Sequence, residues 1–357
     1  MEQRRQIVGR FISRGLRVST AVYVAGMTKS GYYYRCNGKP KGNRPSTQTA
    51  SILGHMVSNE VIVSEILDII TPEYHDYGYQ VVTQQLRRRG YIINPKKVYR
   101  LMKEHELLHP KITRGPKYGK QYVRHRLPLI ESPFATVEAD IKYVYIHEQN
   151  RNAFLITFLC TFSRFAAVWE LDYSMQSGKI ADLVRQFLQH PVVLQYSNRQ
   201  GMKIKIRTDN GPQFIAKKLA DELARHDIEH EFINPATPQE NGHIESFHST
   251  ITRLVCSRNI FTDLDQTRET FSQFYKAYNY TRVMKSLLYN APFEFLELWN
   301  NGLIGIEKNK RKKEIFVFRQ KPEAQGLHGS RAEDLYWASK NMKQNNTFTN
   351  LVQNSPV

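Results

Sequence analysis

The sequence predicts a multidomain protein in which small helical modules precede a larger domain of the α/β layer type. Over the first 110 residues the apolar side chains recur at helical spacing, whereas from about residue 134 they alternate or run continuously, as in strands. Three strand patterns are then followed by alternating helix and strand patterns, which is typical of a layered fold. We therefore expect all-α N-terminal modules followed by an α/β core with a five-stranded mixed sheet.

Basic charge is concentrated at the two ends of the chain. Residues 1–125 hold 22 Lys and Arg against 8 Asp and Glu, whereas residues 126–300 hold 19 against 20. Residues 301–357 are again basic, with 10 against 5. A basic end beside a neutral body indicates a module that binds a polyanion such as nucleic acid, attached to a domain with another task. The alternative, charge that serves solubility alone, would be spread more evenly.

Composition excludes several classes of protein. With 41% apolar residues the chain can bury a sizeable core, so it is not wholly disordered. No stretch reaches the ~20 apolar residues of a membrane span, and the first residues lack the apolar region of a secretory signal. Cys36, Cys160 and Cys256 lie far apart, without the paired spacing of a zinc site. We expect a reduced, intracellular protein.

Residues 1–45 are predicted to form a helix-turn-helix segment. Arg5–Arg14 carries apolar residues at helical spacing, and two shorter helical patterns follow, the last capped by Thr28 or Ser30. Gly26 lies near the turn between them. The run NGKPKGNRPSTQT at 37–49 has the composition of a linker. This outline is common in helical proteins, so by itself it is weak evidence for DNA binding.

A second helical module is predicted over residues 50–112, followed by a basic linker at 113–130. Its helices cover Ile52–Ile70, a segment from Tyr79 that Gly90 closes, and a segment that Asn94 caps. The outer face of the third helix is predicted to enter a DNA groove, and the end of the second to contact phosphates. The alternative, a solvated face on a structural bundle, stays open. The residues of this predicted DNA interface are Lys96, Lys97, Arg100, Lys103, Arg87, Arg88 and Arg89.

Three acids in the predicted α/β core stand where metal chemistry would need them. Asp140 lies inside the first strand, opposite its apolar face, and Asp209 ends the fourth strand. Glu245 starts a helix after a polar loop. A buried, unpaired acid is costly, and a divalent cation such as Mg²⁺ or Mn²⁺ removes that cost while leaving sites for phosphate and water. For each acid taken singly, an ordinary surface position is the alternative.

The spacing of these acids matches a known family. Between Asp209 and Glu245 there are 35 residues, and the segments DIKYVYI, RTDNGPQF and PATPQENGHIESFHSTITR follow one another in order. Together with the upstream YHDYGYQVVTQQLRRRGYIINPKKVYRLMKEHEL and the downstream YNYTRVMKSLLYNAPFEF, they resemble OrfB-type bacterial insertion-sequence transposases of the DDE superfamily. The resemblance covers roughly residues 20–300.

The resemblance implies an RNase H-like catalytic core at 131–300, in which Asp140, Asp209 and Glu245 bind two Mg²⁺ or Mn²⁺ ions. It implies cleavage at the ends of an insertion sequence and joining of the 3′-hydroxyl to target DNA by in-line displacement, without a covalent protein–DNA intermediate. Because two ends must be paired, we expect a homo-multimer bound to double-stranded DNA in the bacterial nucleoid. Further DNA contacts are expected at Asn210, Asn241, His243, His248 and Arg253.

Two departures from the family pattern bear on the prediction. Val137 stands where the family often has Trp, and Ser249 and Thr252 stand where a basic residue often follows the glutamate. No heptad run is visible, so an N-terminal helix-turn-helix and leucine-zipper piece is either encoded separately or absent. A metal-dependent nuclease of the same fold and a DNA-binding regulator without catalysis remain alternatives. A retroviral-type integrase is a weaker variant, because residues 1–50 lack the HHCC zinc spacing. The basic tail at 301–357 is expected to be partly disordered.

Overall fold

The computed structural model places most of the chain in two compact units, residues 1–47 and residues 48–357. The predicted linker at 113–130 and the end of the predicted tail lie outside the described residues. The structure describes residues 2–34, 45–110, 132–197, 203–234, 238–310 and 313–319.

The first unit contains three short helices, α1 (Glu2–Ser13), α2 (Val18–Val24) and α3 (Lys29–Tyr33). They pack around a small core that contains Val8, Ala21 and Val22. The hydroxyl of Thr28 accepts a hydrogen bond from the amide of Gly31 at 3.1 Å and so caps α3. The predicted order of helix, turn and helix is confirmed, with Gly26 in the turn at a φ of +62°.

The second helical module contains α4 (Asn59–Ile70), α5 (Tyr79–Arg88) and α6 (Pro95–Glu104). The side-chain amide oxygen of Asn94 accepts from the amide of Lys96 at 2.9 Å, which confirms the predicted cap of α6. Gly90, with a φ of +90°, follows α5 as predicted. The three helices bury one apolar cluster, whose fully buried members include Ile62, Ile66, Val82, Leu86, Val98 and Met102.

The prediction that this region is all-α is wrong at its edges. Three strands, β1 (Gln48–Ser51), β2 (Met56–Ser58) and β3 (Tyr91–Ile92), form an antiparallel sheet in the order β2-β1-β3. The predicted helix from Ile52 therefore begins only at Asn59. A hairpin turn with Gly54 at a φ of +85° occupies its place. The strand at 91–92 is 40 residues away along the chain, so local periodicity could not indicate this pairing.

The core is built on a five-stranded mixed sheet, as predicted. Its strands are β4 (Thr136–Ile146), β5 (Arg151–Cys160), β6 (Ala166–Asp172), β7 (Lys205–Thr208) and β8 (Glu229–Phe232), and they lie in the order β6-β5-β4-β7-β8. Strand β5 pairs antiparallel with both β4 and β6, whereas β7 runs parallel to β4 and β8 runs parallel to β7.

Helices cover both faces of this sheet, and the alternation of β4 assigns its side chains to the two sides. Val137 and Ala139 belong to one apolar cluster, together with residues of α7 (Ser177–Gln189) and α10 (Lys217–Arg225). Val144 and Ile146 belong to a second cluster, with residues of α11 (Gly242–Ile251) and α12 (Leu264–Tyr280). The structure thus has the layered RNase H-like form. The other helices of this region are α8 (Pro191–Ser197), α9 (Pro212–Ile215) and α13 (Pro292–Asn300).

A β-hairpin follows the predicted end of the core at residue 300. Strands β9 (Ile304–Lys308) and β10 (Glu314–Phe318) pair antiparallel. The predicted short strand at IFVF is confirmed as part of β10, whereas β9 was not predicted. The ring of Phe316 packs edge-on against Phe162 and Phe295, with centroids 5.0 and 4.7 Å apart. The hairpin therefore completes the apolar cluster on one face of the sheet.

The second helical module is joined to the core by buried polar contacts. Arg88 of α5 donates to the side-chain oxygen of Asn290 and to Glu294, 3.3 Å away. Asp76 accepts from Arg282 at 2.6 Å, and the hydroxyl of Tyr77 accepts from the amide of Val283 at 2.9 Å. These contacts join α5 and the loop before it to residues 282–294, which run from the end of α12 into α13. Among the described residues, no helix is long and apolar enough to cross a membrane.

Candidate active site

The pairing of β4 with β7 makes Asp140 and Asp209 neighbours. Glu138 of β4 is the register partner of Arg207 of β7 in this parallel pair. Asp140 lies two residues further along β4, and Asp209 lies two residues after Arg207, directly after the end of β7 at Thr208. Because parallel strands run in the same direction about 4.8 Å apart, the two carboxylates emerge side by side from the same region of the sheet.

Asp140 is half-buried and shares its surroundings with the other two acids. Its Oδ1 accepts from the amide of Ile141 at 2.8 Å. Burial, and then the negative charges of Asp209 and Glu245, raise the pKa of Asp140 from 3.8 to about 6. The three acids therefore interact electrostatically, although two of them are separated by 35 residues of chain.

Asp209 is held by the turn that follows β7. Its Oδ1 accepts from the amide of Gly211 at 3.0 Å. A Cβ atom added to Gly211 would lie 3.0 Å from that same oxygen, so a side chain there would crowd the carboxylate. The side-chain amide of Asn210 donates to the carbonyl of Ile233 at 2.9 Å, which ties the turn to the end of β8.

Glu245 lies in the first turn of α11 and is exposed. Burial of part of its side chain raises its pKa. Across the residues that the structure describes, no hydrogen bond to its carboxylate or to Oδ2 of Asp209 is found, so these oxygens are available to a ligand. An acid in the first turn also interacts favourably with the helix dipole.

The chemistry of these oxygens fits a hard divalent cation. Carboxylate oxygens are the ligands that Mg²⁺ and Mn²⁺ prefer, and a cation would offset the repulsion that raises the pKa of Asp140. As they stand, however, no three His, Cys, Asp or Glu side chains within the described ranges are grouped closely enough to hold a metal ion. The three carboxylates would therefore have to come closer together for all of them to bind one ion.

Two histidines predicted as DNA contacts lie beside the acids. Nδ1 of His248 is 3.5 Å from Oδ2 of Asp140. Burial, and then the charge of Lys142, lower the pKa of His248 to about 4. Burial, with Arg164 and Arg207, lowers the pKa of His243 to about 3. Both side chains are therefore neutral at pH 7.

The other residues of the predicted DNA interface occupy different environments. Lys96 and Lys103 are exposed on one side of α6, whereas Lys97 donates to the carbonyl of Gln48 at 2.7 Å. Arg100 lies 3.9 Å from Glu104, and Arg87 donates to the carbonyl of Ile93 at 3.1 Å. Arg89 pairs with Glu65 at the surface. Only Lys96 and Lys103 are thus both exposed and without a contact that the structure shows.

Three of the predicted DNA contacts are placed otherwise than expected. Arg88 is buried against Asn290 and Glu294 in the core. Asn241 is 3% exposed. Nε of Arg253 lies 2.6 Å from Asp76, so this arginine links the π-helical turn at Thr252–Cys256 to the second helical module. Each side chain has an intramolecular environment that competes with contact to DNA.

The sequence analysis did not single out Glu138 or Arg164, both of which lie near the acids. Glu138 is fully buried, and its Oε2 accepts from the amide of Ile244 at 2.7 Å. Burial raises the pKa of Glu138 to about 7. Arg164 has a φ of +61° in the turn between β5 and β6, an unusual value for a bulky residue. The signal for Glu138 was its position two residues before Asp140, which puts both acids on one face of β4.

A cavity of about 420 Å³ opens beside α11. No acid is among the residues that line it, which include Arg164, His243, Ser246, Thr250, Arg282 and Ser286.

Family models match three stretches of this chain. The model described as an integrase core domain matches residues 131–238, and a second model of the same description matches residues 226–292. An HTH-like domain matches residues 58–114, the second helical module.

Proteins encoded by bacterial insertion elements are similar to this chain. An uncharacterised 39.2 kDa protein of insertion element IS476 from Xanthomonas euvesicatoria is 27% identical over 220 residues, which are 61% of this chain and 60% of that protein. The transposase of IS904 from Lactococcus lactis is 24% identical over 71% of this chain and 97% of its own length. Among solved structures, the simian T-cell lymphotropic virus intasome is 16% identical with a TM-score of 0.40, covering 71% of this chain and 77% of that one. Integrase core domain models thus match residues 131–292 and an HTH-like domain model matches the segment before them, and the similar proteins are named for insertion elements, in agreement with the resemblance to OrfB-type insertion-sequence transposases.

Proposed function

We propose that this protein is a DNA transposase that binds the ends of an insertion sequence, cleaves one strand at each end and joins the 3′-hydroxyl to target DNA. Asp140, Asp209 and Glu245 are its catalytic residues and bind two divalent cations, Mg²⁺ or Mn²⁺. The observation that carries the proposal is the parallel register of β4 and β7, which sets the two aspartates side by side. The charge of Glu245 also acts on Asp140, which supports its place in the same site.

The residues of the site have separate tasks in this proposal. Bound divalent cations supply Lewis-acid stabilisation of the charge that develops when an oxygen attacks a phosphodiester. Asp140 lies on β4 and Asp209 directly after β7, and the two orient the site, while Glu245 completes it from α11. Neutral His248 lies against Oδ2 of Asp140 and restricts the orientations that this carboxylate adopts.

DNA binding is assigned to the second helical module and to the surface around the acids. Lys96 and Lys103 present two positive charges on the exposed side of α6, which suits a helix that lies along a DNA groove. The acid-free cavity beside α11 suits the negative backbone of DNA near the reacting phosphate. Pairing two DNA ends requires a homo-multimer, and we place the protein on the DNA of a bacterial cytoplasm.

The proposal is tested by an assay of Mg²⁺-dependent cleavage and joining on labelled DNA that carries the ends flanking this gene. Joined products that form with the wild-type protein and disappear in Asp209→Asn support a transposase. Nicking without joining supports a metal-dependent nuclease instead, unless adding a separately encoded helix-turn-helix and leucine-zipper protein restores joining. Duplex binding with no metal-dependent product supports a regulator and contradicts the proposal.

A further inference from the structure

Two buried charged residues connect the strands that carry Asp140 and Asp209 to the backbone that carries Glu245. Glu138 stands two residues before Asp140, and Arg207 stands two residues before Asp209. Side chains two residues apart in a strand lie on the same face of the sheet. Glu138 and Arg207 are also direct register partners across β4 and β7, and Asp140 and Asp209 each follow one of them by two residues.

Glu138 holds the start of α11. Its Oε2 accepts from the backbone amide of Ile244 at 2.7 Å, and Ile244 directly precedes Glu245. This amide belongs to the first turn of the helix, where backbone N–H groups have no partner within the helix itself. The carboxylate of Glu138 therefore restrains the position of the first turn of α11 relative to β4.

Arg207 holds the turn that precedes α11. Its Nη1 donates to the backbone carbonyl of Glu240 at 2.9 Å, and its Nε donates to Glu231 at the same distance. The carboxylate of Glu240 in turn accepts from the backbone and side-chain amides of Asn234, at 3.0 and 2.9 Å. Arg207 thus joins β7 and β8 to the turn at Pro238–Asn241.

The cost of burying two ionisable side chains indicates a task beyond stability. Glu138 is fully buried and Arg207 is 5% exposed. Apolar residues of similar volume at buried charged positions often leave a protein as stable or make it more stable. What an apolar pair would not supply is a directed bond to the amide of Ile244 and to the carbonyl of Glu240.

We propose that Glu138 and Arg207 are positioning residues that set Glu245 against Asp140 and Asp209. The inference rests on the proposed function for its catalytic consequence, but the backbone restraint that it describes exists without DNA or metal. Glu138 and Arg207 act through the backbone between residues 238 and 245. They lie in a layer of the sheet next to the two aspartates and need not touch DNA.

The restraint is tested by amide hydrogen exchange of the full chain without DNA. Replacing Glu138 by alanine is expected to speed exchange of the Ile244 amide about tenfold, the change expected when one net hydrogen bond is lost. Glu138→Gln should keep exchange slow, since its amide oxygen still accepts. The segment 264–280 in α12 is the internal control and should not change. Unchanged exchange at Ile244 in Glu138→Ala, or an equal rise throughout α12, overturns the proposal.

A second variant covers the case in which Glu138→Ala does not fold. Arg207→Lys retains the positive charge, but one ammonium group cannot reproduce the forked contacts to Glu231 and Glu240. It should speed exchange at residues 238–244 and leave α12 unchanged; protection equal to the wild type at 238–244 contradicts the role of Arg207.

The catalytic consequence is read from strand cleavage. In Glu138→Ala, kcat is expected to fall about tenfold or more while KM for DNA stays within about twofold, because DNA contacts are intact and the acids are misplaced. Glu138→Gln should recover most of kcat. Equal loss in both variants would mean that the charge matters rather than the hydrogen bond, and would overturn the proposal. If the wild-type protein cleaves no DNA, the proposed function fails, while the exchange experiment still decides the restraint.

Discussion

Arg88 and Arg89 are neighbours that the sequence predicts to act alike, yet the structure gives them opposite environments. The Arg88 side chain is 10% exposed and donates to Asn290, which is fully buried, and to Glu294. Replacing Arg88 by alanine leaves the Asn290 side-chain oxygen without this donor, at a cost of about 1–3 kcal/mol. It also breaks an ion pair, and loss of one partner from a buried pair costs about 3–5 kcal/mol. Because Glu294 is 21% exposed, we expect a total near 3 kcal/mol.

Arg89 supplies the matched control. Its side chain is 37% exposed and pairs with Glu65 at the surface, so Arg89→Ala should cost less than about 1 kcal/mol. Urea denaturation of the two variants measures the difference, and duplex binding is measured beside it on the folded proteins. The reasoning is refuted if Arg88→Ala is no less stable than Arg89→Ala, or if it weakens DNA binding strongly while its stability is that of the wild type.

Three further predictions follow from the site and from α6. Glu245→Gln should abolish metal-dependent strand cleavage and leave the duplex Kd within about twofold, since this exposed acid makes no hydrogen bond among the described residues; residual cleavage at the wild-type rate would remove it from the site. The double variant Lys96→Ala and Lys103→Ala should reduce the slope of log K against log salt by about 2, whereas Lys276→Ala on α12 should not; equal slopes would place DNA elsewhere. Burial raises the pKa of Glu138 from 4.5 in an exposed glutamate to about 7. The contribution of Glu138 to the free energy of unfolding is therefore fully present below pH 4.5 and is lost as the pH rises through 7. Relative to low pH, the loss is about 1 kcal/mol at pH 5 and about 3 kcal/mol at pH 8. Urea denaturation should show Glu138→Gln gaining about 2 kcal/mol on the wild type between pH 5 and pH 8, and exposed Glu148→Gln gaining none; a parallel response of both would contradict the burial argument.

Local patterns in the sequence determined most of the secondary structure. The alternation of TVEADIKYVYI predicts a strand that the structure confirms at Thr136–Ile146, and the cap residues Thr28 and Asn94 act as expected. These features depend on the steric and hydrogen-bonding preferences of residues that are close together in the sequence. The ordered motifs around the three acids also sufficed to predict the integrase core domain that the family models match.

Pairings between distant segments were decided by the tertiary structure alone. The pairing of residues 50–51 with 91–92 and the packing of the β9–β10 hairpin against Phe162 of the core cluster were not predicted, because both depend on contacts that local periodicity does not report. The same holds for the arginines of α5. A run of three arginines has the same sequence signal whether its members face water, DNA or a buried asparagine, and Asn290 lies 202 residues from Arg88.

The site shows the same division. The sequence determined which acids to consider, since their types and spacing match a metal-binding set. Only the fold decided that β7 lies parallel to β4 in a register that pairs Glu138 with Arg207 and so places the aspartates together. It also decided that Glu138, an acid with no motif of its own, bonds to the start of the Glu245 helix. Side-chain chemistry is a local property, whereas register and burial are set by the free energy of packing the whole chain.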